Sequence, residues 1–319
     1  MAKKNQTLKE IIQIVVFFVV VGILSFVFVI YPLNRTKAIM ARDNLDEYNA
    51  DSLPANDPAV FVEAGLTVDT FWLEADGLTT LACLHLTPGL EAAEGVEATS
   101  TGTAILLHAE HSDRTAMLPL AQRLIEQGMG VVVYDQRASG LSTGEYHGDG
   151  QYEATDLEEL ISHLDIRSQL TPPVSVIGWQ IGGDAALLAS LEEGRINNVV
   201  AVSPYLSTER MIDTYRETYD TYWLPFFRTL FWWWYNTRSS YAAEYRDKDQ
   251  IEGVASRTLL LVDETALTEP EMDLLREKSE TDRLTIETLP AEAESVRDRI
   301  VNFILPTPET ANPKPGFAE

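Results

Sequence analysis

The sequence predicts an α/β domain with a mostly parallel central sheet flanked by helices and a small aromatic-rich cap, preceded by one N-terminal membrane-length helix. Three observations carry this expectation. Short continuous apolar runs (Ala104 to Leu107, Val131 to Tyr134, Val174 to Ile177, Val199 to Val202, Leu259 to Val262) alternate with stretches whose apolar residues recur at helical spacing. Strands buried on both faces give such unbroken runs, which points to a parallel sheet covered on each side. The third observation is Ile11 to Tyr31, which is apolar except for Gln13, Gly22 and Ser25; about 20 such residues span a bilayer's hydrocarbon as a helix.

Taken in order, residues 1–10 form a polar N-terminal tail and 11–31 the membrane helix. The apolar run is too long for a cleaved signal, whose core holds about 7 to 15 residues, so a retained, single-pass signal anchor is expected. Lys3, Lys4 and Lys9 on one flank balance Arg35, Lys37 and Arg42 on the other, and charge gives no vote on orientation. Long domains translocate largely regardless of charge, which places the globular part outside the cytoplasm. A linker, 32–58, rich in Asp and Asn toward its end, leads into a domain spanning 59–305.

Within that domain, Leu66 to Leu86 alternates apolar and polar residues around Asp76-Gly77, a hairpin signal. Met117, Leu120, Ala121, Leu124 and Ile125 mark one helix, closed by Gly128, and Leu157, Leu160, Ile161 and Leu164 mark another. A helix follows Ile181. After an aromatic insertion, placed as a cap at about 205–250, come Leu259 to Val262, a short helix near Pro270 to Lys278, the strand Leu284 to Thr288 and a last helix to Leu305. The proline-rich tail 306–319 offers little to bury and is expected to be disordered.

Twenty-four Lys and Arg against 49 Asp and Glu give a formal charge of −25. An acidic surface is repelled by phosphate backbones, so nucleic acid is excluded as a partner. Cys83 is the single cysteine; it has no internal disulfide partner and sits in a strand-like run as a small core residue.

Gly178-Trp179-Gln180-Ile181-Gly182-Gly183 follows one apolar run and opens another. It is built like a nucleophile elbow, the tight strand-to-helix turn on which a serine hydroxyl stands exposed. Gln180 occupies the serine's place, and an amide has no group that a base can turn into an attacking oxyanion.

From roughly Val60 to Leu305 the chain resembles an α/β-hydrolase, similar to the serine-aminopeptidase and lysophospholipase-like branch. Four landmarks occur in order. Ala104 to Glu110, with His108-Ala109, resembles the strand and His-Gly oxyanion loop. Asp135 to Ser142 resembles the D-x-R-G-x-G-x-S loop. The elbow is third, and Ser203-Pro204-Tyr205 resembles the entrance to the cap. The resemblance implies a triad that this sequence has lost. The acid position aligns with Ala266, with Asp263 and Glu264 nearby. The general base would lie between the last strand and last helix, yet His85, His108, His111, His147 and His163 all precede the elbow. Leu289-Pro290-Ala291 runs there instead, with Glu292 and Glu294 as the nearest polar groups. Ala109 replaces the oxyanion-loop glycine, and Glu110 behind it adds negative charge where donors are needed. Gln180, Trp179, Ile181, His108, Ala109, Glu110 and Ala266 are therefore positions of a degenerate active site, with no catalytic residue assigned.

His108, Glu110, His111 and Asp113 include zinc-type ligand atoms, but their spacing is not that of a helix-face pair, and neither metal nor cofactor is expected. Asp156, Glu158 and Glu159 read as a solvated helix face. The segment Tyr222 to Tyr235, with Trp223, Phe226, Phe227, Phe231, Trp232, Trp233 and Trp234, reads first as a cap helix packing its rings. It also has the residues of a surface for membrane lipid, a hydrophobic ligand or a protein partner. The expected function is a membrane-anchored, non-catalytic binding or scaffold module, with the lipid bilayer as its first partner. The alternative is an active hydrolase on acyl or lipid esters.

Overall fold

The structure is a computed structural model and describes residues 2–41, 58–63, 65–88, 100–221, 226–238, 256–263 and 283–305. Most of the expected linker, Ala266, the helix expected near Pro270 to Lys278, the later part of the cap and the tail 306–319 lie outside the described residues. In chain order the helices are α1 (Ala2–Ser25), α2 (Tyr31–Met40), α3 (Pro58–Glu63), α4 (Leu118–Glu126), α5 (Gln151–Ile166), α6 (Ile181–Glu192), α7 (Thr208–Thr218), α8 (Phe227–Arg238) and α9 (Ala293–Ile304). The strands are β1 (Leu66–Asp76), β2 (Thr79–Pro88), β3 (Thr103–Leu107), β4 (Gly130–Tyr134), β5 (Val174–Trp179), β6 (Ile196–Val202), β7 (Arg257–Val262) and β8 (Leu284–Thr288). They belong to two units, residues 1–41 with 207–245, and 42–206 with 246–319.

The larger unit holds one eight-stranded sheet in the order β1-β2-β4-β3-β5-β6-β7-β8. β1 and β2 pair as the antiparallel hairpin expected around Asp76, whose carboxylate accepts the Leu78 and Thr79 N–H groups at 2.9 and 2.6 Å. β2 is antiparallel to β4, and every pairing from β4 to β8 is parallel. Successive residues of a strand face opposite sides of the sheet, so each unbroken apolar run feeds two cores. Ile105, Leu107, Val132, Tyr134 and Val176 share one core with Leu157, Leu160 and Ile161 of α5 and Ala185 and Ala189 of α6. Ala104, Leu106, Val131, Val133 and Ile177 share the other with Leu120 and Leu124 of α4 and Ile300 of α9. Burying each large side chain contributes roughly 1.5–3 kcal/mol. The helix that carries Leu124 ends at Glu126, two residues before Gly128, whose φ of +84° is a conformation glycine adopts without strain.

In the smaller unit the first helix is longer than expected. It begins at Ala2 and reaches Met40 through a wider π turn over Phe26–Ile30, so the N-terminal tail is helical from residue 2, and residues 32–40, expected as linker, are also helical. Pro32 explains the irregular turn, because a proline inside a helix cannot donate to the fourth residue before it. The Tyr31 N–H reaches back to the Phe26 carbonyl instead. Leu33, Arg35, Lys37, Ala38 and Met40 are favourable helix formers and carry the helix on. α7 starts at Ser207, whose hydroxyl accepts the Arg210 N–H at 3.2 Å, and it buries Met211, Ile212 and Tyr215. Phe227 and Phe231 of α8 are buried with ring centroids 5.8 Å apart, and Phe231 lies 6.0 Å from Tyr215. Part of the aromatic segment therefore packs internally, with the Phe231 ring beside that of Phe227 and that of Tyr215 in α7. Phe226 and Trp233 stay 66% and 52% exposed, although the Phe226 ring lies 6.0 Å from that of Phe28.

Candidate active site

The elbow is present in full geometry. β5 ends at Trp179, α6 begins at Ile181, and Gln180 between them has φ 49° and ψ −117°. Few side-chain-bearing residues adopt that conformation, and it costs about 1–3 kcal/mol where it occurs. It persists because the backbone on both sides is fixed: the Gln180 N–H donates to the Val202 carbonyl at 2.9 Å, and the Gln180 carbonyl accepts the Asp184 N–H at 3.0 Å. The glycines of the motif permit the close crossing of strand and helix. A Cβ at Gly182 would lie 2.7 Å from both the His108 carbonyl oxygen and the Leu107 Cβ. Replacing Gln180 by glycine should remove the backbone strain and stabilise the fold by about 1 kcal/mol, after allowing for glycine's looser unfolded chain. Denaturant titration against wild type checks this; a loss of stability would mean that the amide side chain contributes more than the strain costs.

His108 is wholly buried in the loop that follows β3. Its Nε2 accepts the Gln136 N–H at 2.9 Å and its Nδ1 faces the Ala109 carbonyl at 2.6 Å, which fixes the neutral tautomer with the proton on Nδ1. With both ring nitrogens engaged, His108 orders the loop and is not placed as a proton acceptor. Among the described residues no group of three or more His, Cys, Asp or Glu side chains is arranged to hold a metal. The rings of His111 and His147 meet edge to face at 5.4 Å.

Glu110 turns its carboxyl toward the start of α6. In serine hydrolases of this type the N–H of the residue after the nucleophile, here Ile181, helps to stabilise the developing oxyanion. That N–H and the N–H of Glu110 itself favour the ionised Glu110 carboxylate. Oε1 accepts the Tyr205 hydroxyl, while Oε2 is buried without a hydrogen-bond partner among the described residues. Burial is the dominant influence and pushes this carboxyl up to about 7; the two backbone N–H groups and His111 oppose it, and Asp184 adds to it. Asp184 in turn accepts the N–H groups of Tyr205 at 3.1 Å and Leu206 at 2.8 Å. One network thus ties the oxyanion loop, the first turn of α6 and the loop after β6 together. Tyr205 and Asp184 were not singled out from the sequence as site residues. The available signals were an acid in the first turn of a helix and a tyrosine directly after Ser-Pro.

The base position is apolar. Leu289, Pro290 and Ala291 join β8 to α9 and line a cavity of about 490 Å³ together with Ala109, Trp179, Gln180, Met117 and Val296. No histidine is among its described walls, and its polar contributors besides Gln180 are Ser112, Ser203 and Arg297. Glu294, one of the two acids nearest the missing base, pairs with Arg123 and with Arg297 at 2.6 Å. Glu292 stands at the N-cap position of α9 without a side-chain capping hydrogen bond and is exposed. Asp263 directly follows β7, whereas Ala266 and Glu264 lie outside the described residues.

The Asp135 to Ser142 loop is architectural. The buried Asp135 carboxylate accepts the N–H groups of Arg114 at 2.9 Å and Leu141 at 3.0 Å. Gly140, at φ +46°, leaves room for that carboxylate, since a Cβ there would lie 2.4 Å from its carbon. Arg137 forms a two-pronged bond to Asp156 at 2.8 and 2.6 Å. Asp156, expected on a solvated face, is buried; the arginine arriving from this loop compensates for burying its charge.

The family model described as serine aminopeptidase, S33, matches residues 100–268. Among solved structures, an esterase of Pyrococcus furiosus is similar at a TM-score of 0.59 and 19% identity, over 76% of this chain and 92% of that one. An esterase of Exiguobacterium antarcticum follows at 0.51 and 16%, over 74% and 99%, and the α/β-hydrolase GrgF of a Penicillium species at 0.51 and 15%, over 75% and 97%. At these identities the likeness is one of fold. No curated protein matches the chain. The strand order, the preserved elbow and a family match over just over half of the sequence agree: the chain belongs to the serine aminopeptidase S33 family of the α/β-hydrolases.

Proposed function

We propose that this protein is a membrane-anchored, non-catalytic member of its family, working as a binding or scaffold module with its globular part outside the cytoplasm. The observation that carries the reading is the pairing of Gln180 at the point of attack with a Glu110 carboxyl facing the Ile181 N–H. Acyl transfer needs a nucleophile and free donors for the oxyanion, and removing one donor alone costs roughly 10²- to 10³-fold in rate. Here the nucleophile is an amide, one donor acts on the chain's own acid, and the base segment is Leu289-Pro290-Ala291. The cavity beside Gln180 falls in the volume range of small-molecule sites and remains available for an apolar ligand. Anchoring rests on the helix Lys9–Ile39, whose most apolar window is wholly unburied.

Full-length protein in detergent should neither take a fluorophosphonate label nor turn over short-chain esters above a Gln180→Ala control. The Gln180→Ser variant should also remain inactive, because a hydroxyl without an adjacent imidazole is a poor nucleophile at neutral pH. Labelling of the wild type, or robust esterase activity in Gln180→Ser, would overturn the reading. One feature favours a second reading, an active hydrolase: a carboxyl that burial pushes up to about 7, as at Glu110, has the poise of a general base. Turnover that disappears in Glu110→Gln but survives in Gln180→Ala would support it.

A further inference from the structure

Resting on the anchoring reading above, the geometry points to a second membrane contact: Phe226, just before α8, and Leu230 and Trp233 on its outer face lie in the interfacial layer of the same bilayer that α1 crosses. The contact is with lipid at the level where acyl chains meet headgroups.

The boundary is written along the first helix. From Ile11 to Val27 every side chain is exposed. Beyond Phe28 one stripe at i, i+4 and i+7, comprising Pro32, Thr36 and Ile39, becomes buried, and α2 packs against α8. A helix rises about 30 Å over the apolar run from Ile11 to Tyr31, which matches the hydrocarbon thickness of a bilayer. Phe28 therefore sits a few ångströms inside the edge of that layer. Its ring is 6.0 Å from the ring of Phe226, so the start of α8 is held at the same depth. About two turns further along the first helix, Arg35 lies over the Tyr219 ring at 5.7 Å, at the level where a cation meets headgroups and water.

Among the described side chains of α8, one apolar face turns into the protein. Phe227 and Phe231 are buried, the latter against Tyr215. Leu230 and Trp233 stand three residues apart on a neighbouring face of α8, with Phe226 directly before the helix, and Phe226 and Trp233 stay 66% and 52% exposed. Aromatic side chains are enriched where bilayer meets water. Continuity with the membrane helix identifies the occupant, since the apolar surface of α1 runs through Phe28 directly onto Phe226.

The test uses full-length protein reconstituted into phosphatidylcholine vesicles, carrying one introduced cysteine labelled with a polarity-sensitive fluorophore at position 23, 226 or 233. Cys83 is buried, and burial pushes its thiol well up, so it stays unlabelled in the folded protein. Probes at Phe226→Cys and Trp233→Cys should be quenched severalfold more by lipids spin-labelled near the headgroup than by lipids labelled at the chain end. The Ile23→Cys probe should show the reverse order. Quenching at 23 with none at 226 and 233 would overturn the interfacial contact while leaving the anchor intact, and these residues would then face water or a protein. No lipid quenching at 23 would overturn the anchor and this inference together.

Discussion

Gly178→Ala should cost more than about 4 kcal/mol and leave little folded protein, a size reserved for changes that the core cannot absorb. A Cβ at this position would lie 2.0 Å from the Gly182 carbonyl oxygen, 2.2 Å from its carbon and 2.6 Å from the Gly183 nitrogen. All three are backbone atoms of the turn entering α6, so no side chain can swing aside. The helix would have to move away from β5, yet Gly182 is itself pressed against His108 and Leu107. Gly194→Ala is the matched control, because a Cβ there meets nothing within 4 Å. Denaturation midpoints and soluble yield separate the two. A Gly178→Ala protein as stable as the Gly194→Ala control would show that the strand-to-helix crossing is looser than described.

Glu110→Gln should stabilise the protein above neutral pH by up to about 3 kcal/mol and change little near pH 4. The sign follows from proton binding. Burial raises the folded-state value from 4.5 to about 7, so between those values the folded chain keeps a proton that the unfolded chain has released. Stability therefore falls as pH rises through that window, and the full penalty applies above it. Glutamine is isosteric, its carbonyl still accepts the Tyr205 hydroxyl, and it has no proton to lose. Chemical denaturation across pH measures the effect. A variant less stable than wild type near pH 8 would mean that the ionised carboxylate is favourably held by the Ile181 and Glu110 N–H groups.

Much of the fold was legible because it depends on period and punctuation. The runs from Ala104 to Val262 became parallel strands, Asp76-Gly77 became the hairpin turn, and Gly128 lies just past its helix. Gln180 marked the altered elbow because the flanking glycines identify the turn whatever stands between them. Residues 32–40 were misread as linker, since Pro32 and the charges after it mimic a helix end; in the structure the turn before the proline widens and the helix continues. Asp156 was misread as a solvated acid because its partner, Arg137, lies in a different loop. The roles of Tyr205 and Asp184 in the network around Glu110 are hidden for the same reason, as each matters only through contacts distant in sequence.

By itself the sequence determined that the domain is α/β, that a membrane-length helix precedes it, and that neither a serine at the elbow nor a histidine after it is present. These are properties of residue type and order along the chain. Only the tertiary structure decided that Glu110 faces the Ile181 N–H, that His108 has both ring nitrogens engaged, and that Phe226 meets Phe28. Those outcomes depend on burial and on the direction of backbone N–H groups, which are set when elements far apart in the chain pack together.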